Sequence, residues 1–150
     1  MLNSRETMPS DPAPERMKIV VGYDGSDAAR RALERAAALA GSPSRVVVVV
    51  AVAEPYPRSG ITIPANRDQV EIRRRRRDLD EARGLLEQRG IEPETIQARG
   101  NPAEQLVEAS RDAGLLIVGG RGLNRLQRLA LGSVSSKVVH DAVCDVLVVR

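Results

Sequence analysis

Short apolar runs alternate with amphipathic segments along most of this chain. The first apolar run, 18–23, ends in a turn sequence, and apolar residues then recur at helical spacing between 29 and 40, which predicts a strand followed by a helix. The next run, 46–53, has eight consecutive apolar residues without polar alternation. Such a strand is typically covered on both faces, so the pattern predicts a parallel sheet between two layers of helices.

The same alternation continues to the end of the chain. The remaining predicted elements are a charged helix over 67–89, a weak edge-like strand over 94–98, a helix from 102, a strand over 115–119, a helix over 133–142 and a strand over 145–150. This order, with right-handed crossovers, predicts an α/β fold, a three-layer α/β/α sandwich. Ligands of such sheets bind outside the carboxyl ends of the strands, so the loops after the first, second and fourth strands are the candidate site.

Composition narrows the class of protein further. The 150 residues are 42% hydrophobic with no Trp or Phe, so Val, Leu, Ile and Ala must fill the core of one domain. A single cysteine, Cys144, excludes an intrachain disulfide framework, and with a single histidine, His140, it excludes the usual Cys/His zinc site. We expect Cys144 to pack at the mouth of the last strand and His140 to lie on the surface.

The beginning of the chain indicates neither a secretory signal nor a membrane anchor. Residues 1–16 contain three prolines and no apolar core, so we expect a disordered leader there and a folded domain over 17–150. The longest apolar run is also too short to span a membrane. A cytoplasmic protein with no membrane partner is the expectation.

Five consecutive arginines, 73–77, carry much of the net charge of +3. Arg74, Arg76 and Arg77 stand four residues before Asp78, Asp80 and Glu81, the spacing of ion pairs on a helix. Nucleic-acid binding by such a run is normally accompanied by stacking aromatics or a docking motif, and neither is visible. Two interpretations stay open, a self-paired solvated helix face and a basic patch for an anionic partner. The apolar residues of this helix expected to face inward are Val70, Leu79, Ala82, Leu85 and Leu86.

The loop after the fourth strand holds the strongest candidate chemistry. Three glycines within 119–122 would let a ligand approach the backbone closely. Gly132 and Ser133 stand at the start of the last predicted helix, whose free N–H groups favour an anion such as phosphate. The loop lacks the lysine of the P-loop motif, and the first βα turn, 22–25, lacks the dinucleotide fingerprint.

These glycines have a recognisable spacing. Gly119, Gly122 and Gly132-Ser133 resemble the nucleotide-binding signature G-2x-G-9x-G-[S/T] of the universal stress protein family, and the segments 19–26 and 144–149 are similar to its first and last strands. The resemblance covers 18–150. It implies a five-stranded parallel sheet of order 3-2-1-4-5, Rossmann-like and of the adenine nucleotide alpha hydrolase type. It also implies ATP binding and homodimers formed through the last strand. Mg²⁺ accompanying the ATP would be held mainly by the phosphates themselves.

Carried over by position, the resemblance implies a set of site residues. Asp24, beside Gly22 and Tyr23, would face the adenosine end of the ligand, and the backbone of Ala51 would hold the adenine. The residues implied to line the ribose and phosphates are Val118, Gly119, Gly122, Gly132, Ser133, Val134 and Ser135. Arg121 and Arg125 are cations of the same loop within reach of phosphates, with no role assigned to either. The residues alone leave simpler alternatives open: Asp24 as a cap of the first helix, and the glycines as requirements of a turn.

The function favoured by these features is that of an ATP-binding regulatory protein of the stress response. Nucleotide occupancy would order the segments 54–66 and 119–132, and an unidentified protein partner would read that signal. No serine has a triad-like arrangement with His and Asp, and no further acid set for phosphoryl transfer is visible, so dedicated catalysis is not expected. The alternatives are a slow ATPase or other nucleotide-dependent enzyme, and binding of an anionic partner or nucleic acid through 73–77.

Overall fold

The computed structural model describes residues 17–41, 45–53, 66–120 and 131–150. Strands and helices alternate through these residues: β1 (Met17–Gly22), α1 (Asp27–Leu39), β2 (Arg45–Ala53), α2 (Arg67–Glu87), β3 (Glu94–Arg99), α3 (Pro102–Ala109), β4 (Leu115–Gly119), α4 (Ser133–Asp141) and β5 (Asp145–Val149). The predicted order of elements is therefore confirmed. The predicted leader, 1–16, and the site candidates Arg121, Gly122 and Arg125 lie outside the described residues.

The strands form one parallel sheet in the order β3-β2-β1-β4-β5, which confirms the predicted fold. β1 lies at the centre and pairs with β2 as far as Gly22 opposite Val50. The chain moves outward from β1 through β2 to β3 and then returns to the other side of β1 as β4. Because the strand order reverses between β1 and β4, a crevice opens at their carboxyl ends.

Local sequence determines where two of the helices begin. The hydroxyl of Ser26 accepts a hydrogen bond from the Ala29 amide at 3.1 Å and caps α1. The side chain of Asn101 accepts one from the Glu104 amide at 3.2 Å, and Pro102 follows in the first turn of α3, where a missing N–H costs nothing. α1 therefore begins just after β1, which borders the crevice, and α3 begins just after the edge strand β3.

Two apolar clusters pack on opposite faces of the sheet. Ile19 and Val21 of β1 belong to the cluster that α1 and α2 cover, whereas Val20 belongs to the cluster that α3 and α4 cover. Successive side chains of a strand point to opposite faces, so a strand with both faces covered must be apolar at every position. This explains why β1 and β2 read as continuous apolar runs.

α2 buries fewer apolar residues than the sequence predicted. Leu79, Ala82 and Leu86 are buried, but Val70 is 58% exposed and Leu85 is 37% exposed, so the prediction for those two residues was wrong. The edge strand β3 is polar and largely exposed and offers little apolar surface to cover.

Polar contacts join α2 to β3 instead. Gln97 donates to the carbonyl of Ile72 at 2.7 Å, Arg83 donates to Thr95 at 2.7 Å, and Arg99 pairs with Asp68.

Within the described residues, no helix has the length and apolar content needed to cross a membrane.

Candidate functional site

A cleft of about 590 Å³ opens at the carboxyl ends of β1, β2 and β4, a volume in the range of small-molecule sites. Its walls include the loop after β1 and the first turns of α1, α3 and α4. The sequence-predicted site residues that line it are Gly22, Tyr23, Asp24, Val118, Gly119, Gly132, Ser133, Val134 and Ser135. A shallower depression of about 630 Å³ between the C-terminal ends of α1 and α2 contains none of them.

One end of the cleft is apolar. Val50 and Val52 of β2 line it together with Pro102 and Leu106 of α3. These side chains form an apolar surface that offers no hydrogen-bonding groups. A flat aromatic ring is the kind of ligand group that such a wall accommodates.

Ala51 does not line this wall, because its side chain is buried in the core on the other face of the sheet. The carbonyl of Val50 accepts a hydrogen bond from the Tyr23 amide at 2.9 Å. Backbone groups alternate between the two sides of a strand, so those of Val52 point to the same side as those of Val50, just beyond the end of β1. Val52 therefore presents its backbone to the cleft, one residue further along than predicted.

Asp24 is exposed at the mouth of the cleft and orders the loop around it. Its Oδ1 accepts a hydrogen bond from the Ser26 amide at 3.0 Å, and Gly25 between them adopts φ +78°, which favours glycine. The cap of α1 is Ser26, so the alternative role of Asp24 as a helix cap was wrong. Its carboxylate holds the turn and remains at the surface of the cleft.

The opposite end of the cleft is formed by the start of α4. Gly132 is the N-cap and makes no side-chain cap hydrogen bond, and the first turn carries no acidic residue. The backbone of Gly132 has φ −64°, which any residue adopts, so the backbone conformation does not require glycine here. The first-turn amides of a helix have no partner within the helix, and together with the helix dipole they favour an anion at this point.

The two serines of this turn differ in what they can offer to a ligand. Ser133 is exposed, whereas Ser135 is buried and donates its hydroxyl hydrogen to the Gly132 carbonyl at 3.1 Å. The hydroxyl proton of Ser135 is therefore used within the helix, and of these two serines Ser133 is the one whose hydroxyl can donate to a ligand in the cleft.

Two arginines that the sequence analysis did not assign to the site also line the cleft. Arg31 lies one helical turn after Asp27 on α1, and its Nε donates to the main-chain oxygen of Arg150 at 2.9 Å. Arg75 reaches the cleft from the middle of α2. The sequence signal for Arg31 was its position four residues after Asp27, which places both residues on the same face of α1.

Tyr23 forms the buried floor of the loop after β1. The side chain is 3% exposed, and burial, aided by the negative charge of Glu81, raises the pKa of Tyr23 to about 12. Arg30, which donates to Glu81 at 2.8 Å, opposes part of that shift. The phenol therefore stays neutral at physiological pH and contributes packing rather than charge.

The arginine run divides into one internal and four external side chains. Arg75 is half-buried, whereas Arg73, Arg74, Arg76 and Arg77 are exposed. Asp78 pairs with Arg75 and Glu81 pairs with Arg30. The predicted pairs Arg74–Asp78, Arg76–Asp80 and Arg77–Glu81 were wrong, since none of them is formed among the described residues. A basic patch for an anionic partner stays a prediction, now restricted to the four exposed arginines.

His140 lies on the surface and Cys144 packs at the start of the last strand, as the sequence predicted. His140 is exposed beside Asp141, and Cys144 is half-buried against the cluster beneath α3 and α4. In the part of the chain that the structure describes, no three His, Cys, Asp or Glu side chains are grouped so as to hold a metal ion.

Comparison with known proteins identifies the relatives of this chain. The model of the universal stress protein family matches residues 15–150. The chain belongs to this family. A universal stress protein of Bacillus subtilis is 32% identical over 145 residues, covering 89% of this chain and 98% of its own length.

Solved structures of the family share the fold. A universal stress protein in complex with cAMP is 28% identical with a TM-score of 0.69, covering 91% of this chain and 98% of its own. The universal stress protein from Archaeoglobus fulgidus in complex with dAMP is 26% identical with a TM-score of 0.67, covering 91% and 99%. The resemblance noted in the sequence is therefore confirmed.

Proposed function

We propose that this protein binds an adenine nucleotide in the cleft and that nucleotide occupancy regulates its activity in the cell. The observation that carries the proposal is one cavity with an apolar wall, an exposed carboxylate and an open helix N-terminus. These features match the base, the ribose and the phosphate of a nucleotide. The cAMP and dAMP complexes of two relatives support the same ligand class.

The charges of the cleft set the direction of the nucleotide. The adenine would lie against Val50, Val52 and Leu106, with the backbone of Val52 taking the role that the resemblance implied for Ala51. The ribose hydroxyls would donate to Asp24. The phosphates would meet the first amides of α4 and the hydroxyl of Ser133, since negative charge is favoured at a helix N-terminus.

ATP with Mg²⁺ is the proposed physiological ligand, and the cytoplasm, where ATP is available, is the proposed location of the protein. Mg²⁺ prefers phosphate oxygens and water as ligands, so it would enter bound to the nucleotide. The test is calorimetric titration with adenosine, AMP and ATP·Mg²⁺. We expect affinity to rise along this series to a dissociation constant on the order of 1 μM for ATP, about −8 kcal/mol. Absence of binding by all three ligands would overturn the proposal.

Regulation rather than catalysis is the proposed use of the bound nucleotide. ATP should then change the accessibility of the chain between β4 and α4, which limited proteolysis with and without ATP would report. An unchanged cleavage pattern would contradict the signalling part. Release of phosphate above the blank, stimulated by a second substrate, would favour the enzyme alternative instead.

Arg31 is expected to contribute to the binding of phosphorylated ligands. It lies on the β4–β5 side of the cleft, where its Nε donates to the main-chain oxygen of Arg150, the residue that follows β5, and both Arg31 and Gly120 line the cleft. Arg31→Gln should weaken ATP binding roughly tenfold, as expected for the loss of one charge-assisted contact, and leave adenosine binding unchanged. The matched control is Arg35→Gln, an exposed arginine one turn further along α1. An equal loss for adenosine would contradict this role.

Homodimerisation through the last strand is also proposed. β5 is an edge strand, and Val139 and Val143 beside it are 48% and 76% exposed. An apolar surface next to an open strand edge favours pairing with a second copy. Val143→Lys is expected to shift the protein from dimer to monomer in light scattering, whereas Val70→Lys on α2 should not. A monomeric wild type at micromolar concentration would contradict the proposal.

A further inference from the structure

Arg75 is largely buried and hydrogen-bonded, whereas the other four arginines of the run are exposed. Its side chain is 14% exposed, and its Nε donates to Glu71 at 2.8 Å. Its Nη1 donates to Asp78 at 2.8 Å and to the main-chain carbonyl of Asp24 at 3.1 Å. One guanidinium group therefore ties the middle of α2 to the loop that carries the carboxylate of the cleft.

The loop after β1 packs directly against this ion pair. A Cβ on Gly25 would lie 2.9 Å from Oδ1 of Asp78, so the turn touches the carboxylate that Arg75 holds. The side chains of Glu71 and Asp78 are 18% and 13% exposed. Removing the guanidinium would leave two largely buried carboxylates without their partner, and a buried charge that loses its partner is strongly destabilising.

We propose that Arg75 is a positioning residue of the nucleotide site, which holds Asp24 in place at the adenosine end of the cleft. The inference rests on the nucleotide-binding function proposed above. Arg75 holds the main chain of Asp24, and the Ser26 amide holds its carboxylate. Both ends of the residue are therefore fixed before a ligand arrives, which lowers the cost of ordering the site on binding.

The same cluster also disfavours phosphate at this end. Glu71 and Asp78 place two negative charges around the single positive charge of Arg75, and Asp24 stands beside them. A polyphosphate would be repelled here and attracted to the start of α4. The cluster thus orients the nucleotide as well as holding the loop.

The test compares Arg75→Gln with Arg76→Gln, its exposed neighbour in the same run. Each variant is titrated with adenosine, AMP and ATP·Mg²⁺, and its thermal unfolding is recorded. Arg75→Gln should lose roughly tenfold in affinity, the size expected for a lost hydrogen bond to a charged group, by the same factor for all three ligands. Arg76→Gln should bind like the wild type. A loss that grows with the number of phosphates, or no loss at all, would overturn the inference.

Two further variants distinguish positioning from a general loss of stability. Arg75→Lys keeps the positive charge between the carboxylates but lacks the planar fork of donors, so it should fold and show a smaller affinity loss. In an Asp24→Ala background, Arg75→Gln should cause no additional loss, because its effect passes through Asp24. Additive losses would overturn the inference. If the wild type binds none of the three ligands, the proposed function itself fails, and this inference fails with it.

Discussion

Gly119→Ala is expected to lower the free energy of unfolding by about 3 kcal/mol, near the upper end of the usual cost of overpacking. A Cβ at this position would lie 2.7 Å from the carbonyl carbon of Ala28 and 2.8 Å from the amide nitrogen of Ala29. Both are main-chain atoms in the first turn of α1, so no side-chain rotation relieves the contact. The helix must move away from β4, and the cleft between them must change shape.

Urea unfolding measures this effect, with Gly84→Ala as the control. Gly84 lies inside α2, and a Cβ at this position would have no neighbouring atom within 4 Å. Alanine there should therefore add about 0.5–1 kcal/mol of stability. The two identical substitutions are therefore expected to have opposite signs. A Gly119→Ala protein as stable as the wild type would show that α1 does not pack this closely on β4.

Gly119 has a second role in the fold that its place in the sequence motif did not indicate. The sequence indicated that glycine at this position lets a ligand approach the backbone. The structure adds that α1 itself occupies the space of the missing side chain. Close packing of helix on strand is a known use of glycine in nucleotide-binding βα units, and it links the integrity of the cleft to the stability of the fold.

The fold could be predicted because its signals are local. Continuous apolar strands and capped helices such as those begun by Ser26 and Asn101 are determined within a few residues, and their alternation specifies the layers. The strand order came from the family resemblance, since alternation alone does not encode which strands pair. The exposure of Val70 and Leu85 could not be predicted from helical spacing, because spacing does not show that the neighbouring edge strand β3 is polar.

The candidate site was predictable where it follows strand ends and unpredictable where it depends on packing between distant elements. Asp24, Gly119 and Ser133 directly follow or lie near predicted boundaries, and all three line the cleft. Arg75 reaches the same loop across 51 positions of the chain, which no local pattern encodes. The change from Ala51 to Val52 reflects strand register, which is set by pairing with β1.

Ser133→Asp is expected to separate nucleotide binding from stability. Ser133 is exposed at the first position of α4 and lines the cleft. A carboxylate at a helix N-terminus interacts favourably with the dipole, so stability should stay the same or rise by about 0.3–1 kcal/mol. The same charge would stand where the phosphates bind. Repulsion at about 4 Å amounts to between about 1 and 4 kcal/mol, so ATP affinity should fall about a hundredfold.

Calorimetry with ATP·Mg²⁺ and adenosine, together with urea unfolding, measures both sides of this prediction. Ser136→Asp is the matched control, since Ser136 is exposed one turn later on the same helix and is not among the residues that line the cleft. Adenosine should bind both variants like the wild type, because it has no phosphate to repel. Unchanged ATP binding by Ser133→Asp would mean that the phosphates do not meet α4. The direction assigned to the nucleotide, with adenine against β2 and phosphates at Gly132, would then have to be reversed.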